Sequence, residues 1–141
     1  MLSAYPACFF KEKEGYSVIF PDLNYLATSG ESLEEALAMA VDCLAGYLYW
    51  CQSDNETVPM PSAMEAINLN DVAEALGGEQ AEGSFVNMVT VDVTEYAKHH
   101  FEKSVKKTLT IPAWLNTMAL KQNINFSQVL QAALKEKLHI H

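Results

Sequence analysis

A chain of 141 residues, half of them hydrophobic and 19% charged, has the size of one folded domain with a small appendage, which excludes an intrinsically disordered protein. It shows neither an apolar run long enough to span a membrane nor a secretory signal, so we expect a cytoplasmic protein without membrane association. Three widely spaced cysteines without a CxxC pair predict neither a disulfide framework nor a zinc site.

The net charge of −9 is distributed unevenly along the chain. Residues 1–98 carry sixteen acidic residues against three lysines, a net of −13, whereas residues 99–141 carry two glutamates against six lysines, a net of +4. Because phosphate binding needs clustered positive charge, only the second part suits nucleic acid. The first part suits a basic partner, although acidity can also serve solubility alone.

The amino-terminal part begins with the pattern of a β-hairpin. Two runs of aromatic and β-branched residues, 5–10 and 16–20, flank a charged loop that ends in Gly15. Pro21 stops the second run because proline lacks the N–H that a strand ladder needs. A short third strand is expected within residues 25–28.

A long helix is predicted to start at Ser32. Its hydroxyl can accept a hydrogen bond from the Glu35 backbone N–H while the Glu35 side chain reaches back, which makes a capping box. Apolar residues then recur with helical spacing as far as Cys51. We expect an amphipathic helix of about five turns that lies on a sheet.

The chain between this helix and the basic tail is less regular. Residues 63–76 have helical character, and residues 77–84 have the composition of a flexible acidic loop. Residues 85–93 are apolar at nearly every position, which predicts a central strand covered on both faces. A short polar helix over residues 95–103 is expected to lead into the tail.

The basic tail predicts one strand followed by two helices. Residues 106–111 alternate, Pro112 suits the first position of a helix that reaches about Asn123, and Asn125 can cap a second helix. About 35 residues are too few to fold unaided, and the strand has an unpaired edge. Since the same strand of a second copy can satisfy that edge, we expect an obligate dimer.

This strand–helix–helix pattern resembles the ribbon-helix-helix repressors, in which two paired strands enter the major groove of DNA. Alternation along the strand then divides the residues between the bases and the dimer core, and the start of the second helix is expected on phosphate. The expected DNA-binding residues are Lys106, Thr108, Thr110, Asn125, Phe126 and Ser127. The expected dimerisation core is Leu109, Ile111, Leu115, Met118, Phe126, Leu130 and Leu134. That family often carries arginine and asparagine at the outward positions, whereas this chain contains no arginine.

The amino-terminal part resembles the HicB antitoxins of type II bacterial toxin–antitoxin pairs. The matching pieces are Gly-Tyr-Ser-Val-Ile-Phe-Pro-Asp-Leu (15–23), Thr-Ser-Gly-Glu-Ser-Leu-Glu-Glu-Ala-Leu (28–37), Pro-x-Pro-Ser (59–62) and Val-Asp-x-x-x-Tyr (91–96). Residues 63–84 match poorly, and residues 24–26 stand where the family usually carries a glycine. The resemblance implies an α+β fold: a small antiparallel sheet with one long helix, partly RNase H-like, followed by the dimeric ribbon-helix-helix module.

The resemblance also implies a division of function along the chain. Residues 1–98 are expected to bind and inhibit a HicA-like mRNA-cleaving toxin, residues 99–104 to form a linker, and residues 105–141 to dimerise and repress the operon by binding operator DNA. An acidic surface suits a basic, RNA-binding toxin. No cofactor or metal ion is expected. The sequence leaves open which residues contact the toxin, and whether dimers join into tetramers or into a heterotetramer with the toxin.

Two other classes of function compete with this interpretation. Asp22, Asp92 and the glutamates of residues 31–35 can be read as a metal-dependent catalytic site, but helix capping and a turn after proline explain them better, so no catalytic residue is assigned. The alternative is a stand-alone ribbon-helix-helix repressor whose amino-terminal part senses a ligand. In that case the hairpin aromatics Phe9, Tyr16 and Phe20 line a pocket instead of a core.

Overall fold

Two units make up the chain in the computed structural model, which describes all of residues 1–141. The first unit is Met1–Lys103 and the second is Ser104–His141. The predicted α+β class is confirmed, with one antiparallel sheet and five α-helices. None of the helices has both the length and the apolar character that crossing a bilayer requires.

The first unit is built on a four-stranded antiparallel sheet. In chain order the strands are β1 (Leu2–Lys11), β2 (Tyr16–Phe20), β3 (Leu26–Gly30) and β4 (Phe85–Asp92). They lie side by side in the order β3-β2-β1-β4. The predicted hairpin of β1 and β2 is confirmed, with Cys8 opposite Ile19. Strand β1 starts at Leu2, earlier than predicted, because its first half pairs with β4 alone.

The prediction of a central strand at residues 85–93 is wrong, because β4 lies at the edge of the sheet with β1 as its one neighbour. Val89 and Val91 are buried in the main core, while Val86 packs against a second cluster on the opposite face. An apolar run indicates that both faces of a strand are covered, but it does not indicate whether the strand has a hydrogen-bonded neighbour on each side.

Five α-helices complete the structure. They are α1 (Leu33–Ser53), α2 (Leu69–Ala75), α3 (Val93–His100), α4 (Ala113–Lys121) and α5 (Phe126–Lys137). Helix α1 begins at the predicted cap, with the Ser32 hydroxyl accepting a hydrogen bond of 3.1 Å from the Glu35 backbone N–H. The reciprocal bond of the predicted capping box, from the Ser32 N–H to the Glu35 side chain, is not formed. Residues 77–84 contain no helix or strand, which agrees with the predicted loop.

The main core lies between α1 and one face of the sheet. Alternate residues of β1, among them Ala7 and Phe9, point towards α1, whereas Cys8 points to the other face and packs near Val72 of α2. Phe9 and Phe20 are fully buried. Burial of a phenylalanine side chain contributes roughly 1.5–3 kcal/mol. Phe9 and Phe20 therefore belong to the core, with Tyr16 packed against it, which argues against the ligand-sensing alternative.

The turn after β2 adopts a backbone conformation that favours glycine. A 3₁₀ turn at Pro21–Leu23 is followed by Asn24 and Tyr25 with φ of 58° and 59°. Asparagine tolerates this left-handed region, but a tyrosine there is uncommon. The glycine that HicB sequences usually carry near these positions suits the same turn without strain.

Two glycines allow the hairpin loop, the end of β3 and the start of α1 to meet backbone to backbone. Gly15 has φ of +80°, and a Cβ at this position would lie 1.9 Å from the Gly30 carbonyl oxygen. A Cβ at Gly30 would lie 2.3 Å from the backbone nitrogen of Ala36 in α1. No side chain fits at either position without moving the backbone.

We expect Gly15→Ala to lower the free energy of unfolding by about 2 kcal/mol or more, because the new Cβ clashes with backbone and the positive φ is strained. Gly78→Ala is the matched control, since nothing lies within 4 Å of its Cβ position. It should change stability by less than about 0.5 kcal/mol. Urea denaturation measures both, and equal stability of the two variants would contradict the packing of this corner.

The second unit consists of an extended segment followed by α4 and α5. Residues 102–112 form no strand, because a strand needs a partner and this single chain offers none. Pro112 precedes α4 as its N-cap, and α4 ends at Lys121, slightly before the predicted end. The predicted cap of the second helix is confirmed, since the Asn125 side chain accepts a 3.1 Å hydrogen bond from the Gln128 backbone N–H.

Candidate nucleic-acid interface and acidic surface

The extended segment of the tail lies beside α5, and together they enclose a groove of about 480 Å³. Lys107, Leu109 and Ile111 line this groove, whereas the residues between them do not. The segment thus keeps the two-residue alternation of a strand although no partner strand is present. From α5 the lining residues are Phe126, Ser127, Val129, Leu130 and Ala133.

The groove brings together four of the seven residues expected in the dimerisation core: Leu109, Ile111, Phe126 and Leu130. The other three, Leu115, Met118 and Leu134, lie outside it and are about half exposed. No residue of Ser104–His141 is buried in the single chain. Apolar surface of this extent, left open, marks an interaction site.

The residues expected to contact DNA divide into two groups. Lys106, Thr108 and Thr110 are exposed and lie outside the groove, as alternation predicts. At the start of α5, Asn125 uses its side-chain oxygen as the helix cap, while Phe126 and Ser127 line the groove.

Asp22 has a structural role in the first unit. Its two carboxylate oxygens accept hydrogen bonds of 2.7 Å from the backbone N–H and the hydroxyl of Ser62. The Tyr5 hydroxyl donates a 2.5 Å hydrogen bond to the Pro59 carbonyl oxygen. The segment after α1 is therefore fastened to the end of the hairpin at two points. Sequence reasoning missed the contact between Asp22 and Ser62, although both residues lie in segments that carry the resemblance to HicB.

The carboxylates considered above for a catalytic site are not gathered in one place. Asp92 caps α3 by accepting a 3.2 Å hydrogen bond from the Glu95 backbone N–H, and this bond is the main reason that its pKa is lowered. Glu35 lies in the first turn of α1. No group of three histidine, cysteine, aspartate or glutamate side chains is arranged to hold a metal ion. Capping and turn geometry account for these residues.

Helix α3 is tied to α1 by a hydrogen bond of 2.9 Å from the Tyr96 hydroxyl to Asp42. His100, placed in the linker by the sequence, belongs instead to the last turn of α3 and stacks on the Tyr96 ring at 3.8 Å. Burial, followed by the hydrogen bond to Asp42, raises the pKa of Tyr96 to about 12. The Val-Asp-x-x-x-Tyr piece thus supplies both the cap of α3 and its attachment.

Alkaline titration should show Tyr96 ionising near pH 12, with the signal missing in Tyr96→Phe. Asp42→Asn should move this pKa towards the ordinary value of 10, because it removes a negative charge beside the phenol while burial persists. A raised pKa means that the neutral phenol stabilises the folded state below pH 10, and that this contribution is lost as the pH rises through about 12.

Tyrosinate absorbance follows this ionisation, and the matched control is Asp71→Asn, which removes an exposed carboxylate from α2. The control should leave the Tyr96 pKa unchanged. An unaltered Tyr96 titration in Asp42→Asn would contradict the contact between α1 and α3.

The negative charge of the first unit is almost entirely uncompensated within the unit. Met1–Lys103 contains seventeen acidic residues and four lysines. Only two of the carboxylates form ion pairs. Asp92 pairs with the amino terminus at 3.3 Å, and Glu95 pairs with Lys98 at 2.9 Å. Most of the remaining carboxylates are available to an external cation, whereas Asp22 and Asp42 accept hydrogen bonds from Ser62 and Tyr96 within the unit.

The three cysteines are free, and all are held as thiols. Burial raises the pKa of Cys8 to about 11 and also raises the pKa of Cys43 and Cys51. A thiol with a raised pKa is a poor nucleophile and a poor metal ligand. These residues therefore act as small apolar side chains.

Comparison with known proteins identifies the family. A family model described as the HicB-like antitoxin of a bacterial toxin–antitoxin system matches residues 5–133. The chain belongs to this HicB-like antitoxin family. One chain of a toxin–antitoxin complex from Streptococcus pneumoniae is similar at 35% identity, with 97% of this chain and 99% of that chain covered and a TM-score of 0.66.

Similar curated proteins match shorter stretches. Antitoxin HicB 2 of Photorhabdus laumondii is 40% identical over 58 residues, which is 41% of this chain and 42% of that protein. The chain thus spans less than half of this curated antitoxin. A 14.9 kDa protein from the rep-hol intergenic region of Haemophilus phage HP1 is 27% identical over 79% of this chain and 74% of its own length.

Proposed function

We propose that this HicB-like antitoxin has two tasks. Its unit Met1–Lys103 binds and inhibits a HicA-like mRNA-cleaving toxin, and its unit Ser104–His141 represses the operon by binding operator DNA as a dimer. Both tasks belong to the bacterial cytoplasm. The observation that carries this proposal is the separation of charge: the first unit contains seventeen acidic residues against four lysines, and the second contains five lysines against one glutamate.

The acidic unit suits a toxin that binds RNA. A protein surface that holds RNA phosphates must be basic, and an acidic protein of similar extent competes for it. Opposite charges also speed the encounter of two proteins. The similar chain from Streptococcus pneumoniae belongs to a toxin–antitoxin complex, which supports a partner of this kind.

The strand order and the helix after the third strand support a partly RNase H-like sheet for this unit. Asp22, which a nuclease would need free for metal, is engaged by Ser62 instead.

The tail suits a ribbon-helix-helix dimer. A second copy would pair its extended segment with the first and cover the apolar groove beside α5. The same pairing would direct Lys106, Thr108 and Thr110 of both copies towards the bases of one major groove. With one toxin on each acidic unit, such a homodimer becomes a heterotetramer.

We expect Lys106→Ala and Thr108→Ala each to abolish retardation of a DNA fragment from upstream of the operon, while toxin binding is unchanged. Lys137→Ala is the matched control: it removes the same charge from the last turn of α5, outside both the groove and the residues assigned to DNA. Loss of a base contact costs about 1–3 kcal/mol, whereas loss of one distant charge mainly reduces the salt dependence. Electrophoretic mobility shift at several salt concentrations separates the two effects.

Full DNA binding by both Lys106→Ala and Thr108→Ala would contradict the assignment of strand faces. Equal loss in Lys106→Ala and Lys137→Ala would point to charge alone.

Co-expression with the adjoining reading frame should yield a tight complex of this chain with a small basic protein. Mass photometry should give two copies of each, because the tail provides the dimer and each acidic unit one toxin site. In the same sample the partner's RNA cleavage should be absent. If the adjoining product fails to co-purify, a stand-alone repressor is the better description.

A further inference from the structure

A groove of about 430 Å³ lies along the carboxy-terminal half of α1, within Met1–Lys103. Three aromatic side chains line it: Tyr47 and Trp50 from α1, and Phe101 from just after α3. Trp50 is 64% exposed, although tryptophan is an uncommon residue to leave in water. Exposed aromatic residues in a concave surface are typical of protein interfaces.

A glycine in the middle of α1 keeps the groove open. Glycine inside a helix is less favourable than alanine, because it has more backbone freedom to lose. A Cβ at Gly46 would meet only the Phe101 ring, at 3.8 Å, which is an ordinary contact. Internal packing therefore has room for alanine, and the cost in helix stability is not explained by the fold. What glycine preserves is the space in front of Trp50.

Carboxylates at the end of α1 make this groove strongly negative. Asp54 and Glu56 line it and form no ion pair. The carboxy-terminal end of a helix already carries partial negative charge, and the last turn of α1 contains no basic residue to offset it. The same charge acts on the nearby Cys51 thiol, whose pKa is raised first by burial and then by the negative charges of Glu56 and Asp54. A cation from outside would relieve the repulsion.

We propose that this groove is the docking site for a lysine- or arginine-bearing segment of the toxin. The cationic head would lie between Asp54 and Glu56, and its aliphatic stem, with an apolar neighbour, would pack against Trp50 and Tyr47. This inference rests on the proposed toxin-binding function and assigns it to one face of the first unit. The charge of the groove selects the basic toxin over a neutral partner.

Gly46→Leu tests the shape of the site, and Ala38→Leu, at an exposed position of α1 outside the groove, is its matched control. The leucine fills the groove from the helix and should raise the Kd for the co-expressed toxin about tenfold or more. Ala38→Leu should leave the Kd within about twofold, because its side chain does not line the groove. Calorimetry gives the Kd values, and thermal unfolding checks that both variants are folded.

Asp54→Lys tests the charge of the site against Glu82→Lys, an equal change of charge in the loop of residues 77–84, away from the groove. Lysine at position 54 also suits the end of a helix, so the fold should be retained. We expect Asp54→Lys to weaken toxin binding about tenfold or more, and Glu82→Lys to weaken it by less than about threefold. Stopped-flow association at low and high salt measures both.

The outcomes separate the groove from the proposed function. Toxin binding by Gly46→Leu and Asp54→Lys at wild-type strength would overturn the docking site and leave the antitoxin function intact. Equal losses of toxin binding in Asp54→Lys and Glu82→Lys would also overturn it, because binding would then depend on the net charge of the unit and not on the groove. A change in the self-association of the chain alone in Gly46→Leu would assign the groove to a second copy. Failure of the wild-type chain to bind the toxin would refute the proposed function itself.

Discussion

The packing of α1 on one face of the sheet is the interaction on which the rest of the first unit depends. It buries Phe9 and Phe20, and it requires glycine at 15 and 30 so that the backbones can approach. With one side of α1 committed to the core, the other side is fixed in position. That side carries Gly46 and Trp50, so the same contact that stabilises the fold also creates the groove.

The two units are incomplete in different ways. Met1–Lys103 has a buried core but almost no internal counter-charge, and mutual repulsion among its carboxylates opposes folding. Ser104–His141 lacks a buried core instead, because its apolar side chains remain exposed in the single chain. A basic protein would complete the first unit and a second copy the other, which is the physical basis for assigning a different partner to each.

The first unit also shows how a family motif can be structural. The aspartate after Phe20-Pro21 and the serine of Pro-x-Pro-Ser bind each other across 40 residues and fasten the segment that leaves α1. The carboxylate of a catalytic site and a carboxylate that holds two segments together are indistinguishable by residue type alone. Only the surroundings separate them: Asp22 accepts hydrogen bonds from Ser62 on both oxygens and belongs to no cluster of side chains that could hold a metal ion.

Sequence alone was enough to predict the hairpin, the Ser32 and Asn125 caps, the alternation of residues 106–111 and the uneven charge. Each of these depends on residues a few positions apart or on simple counts, so local chemistry suffices. The tertiary structure alone decided the edge position of β4, the Asp22–Ser62 contact and the groove beside Gly46. These depend on which distant segments become neighbours, and the free energy of that choice is shared across the whole core.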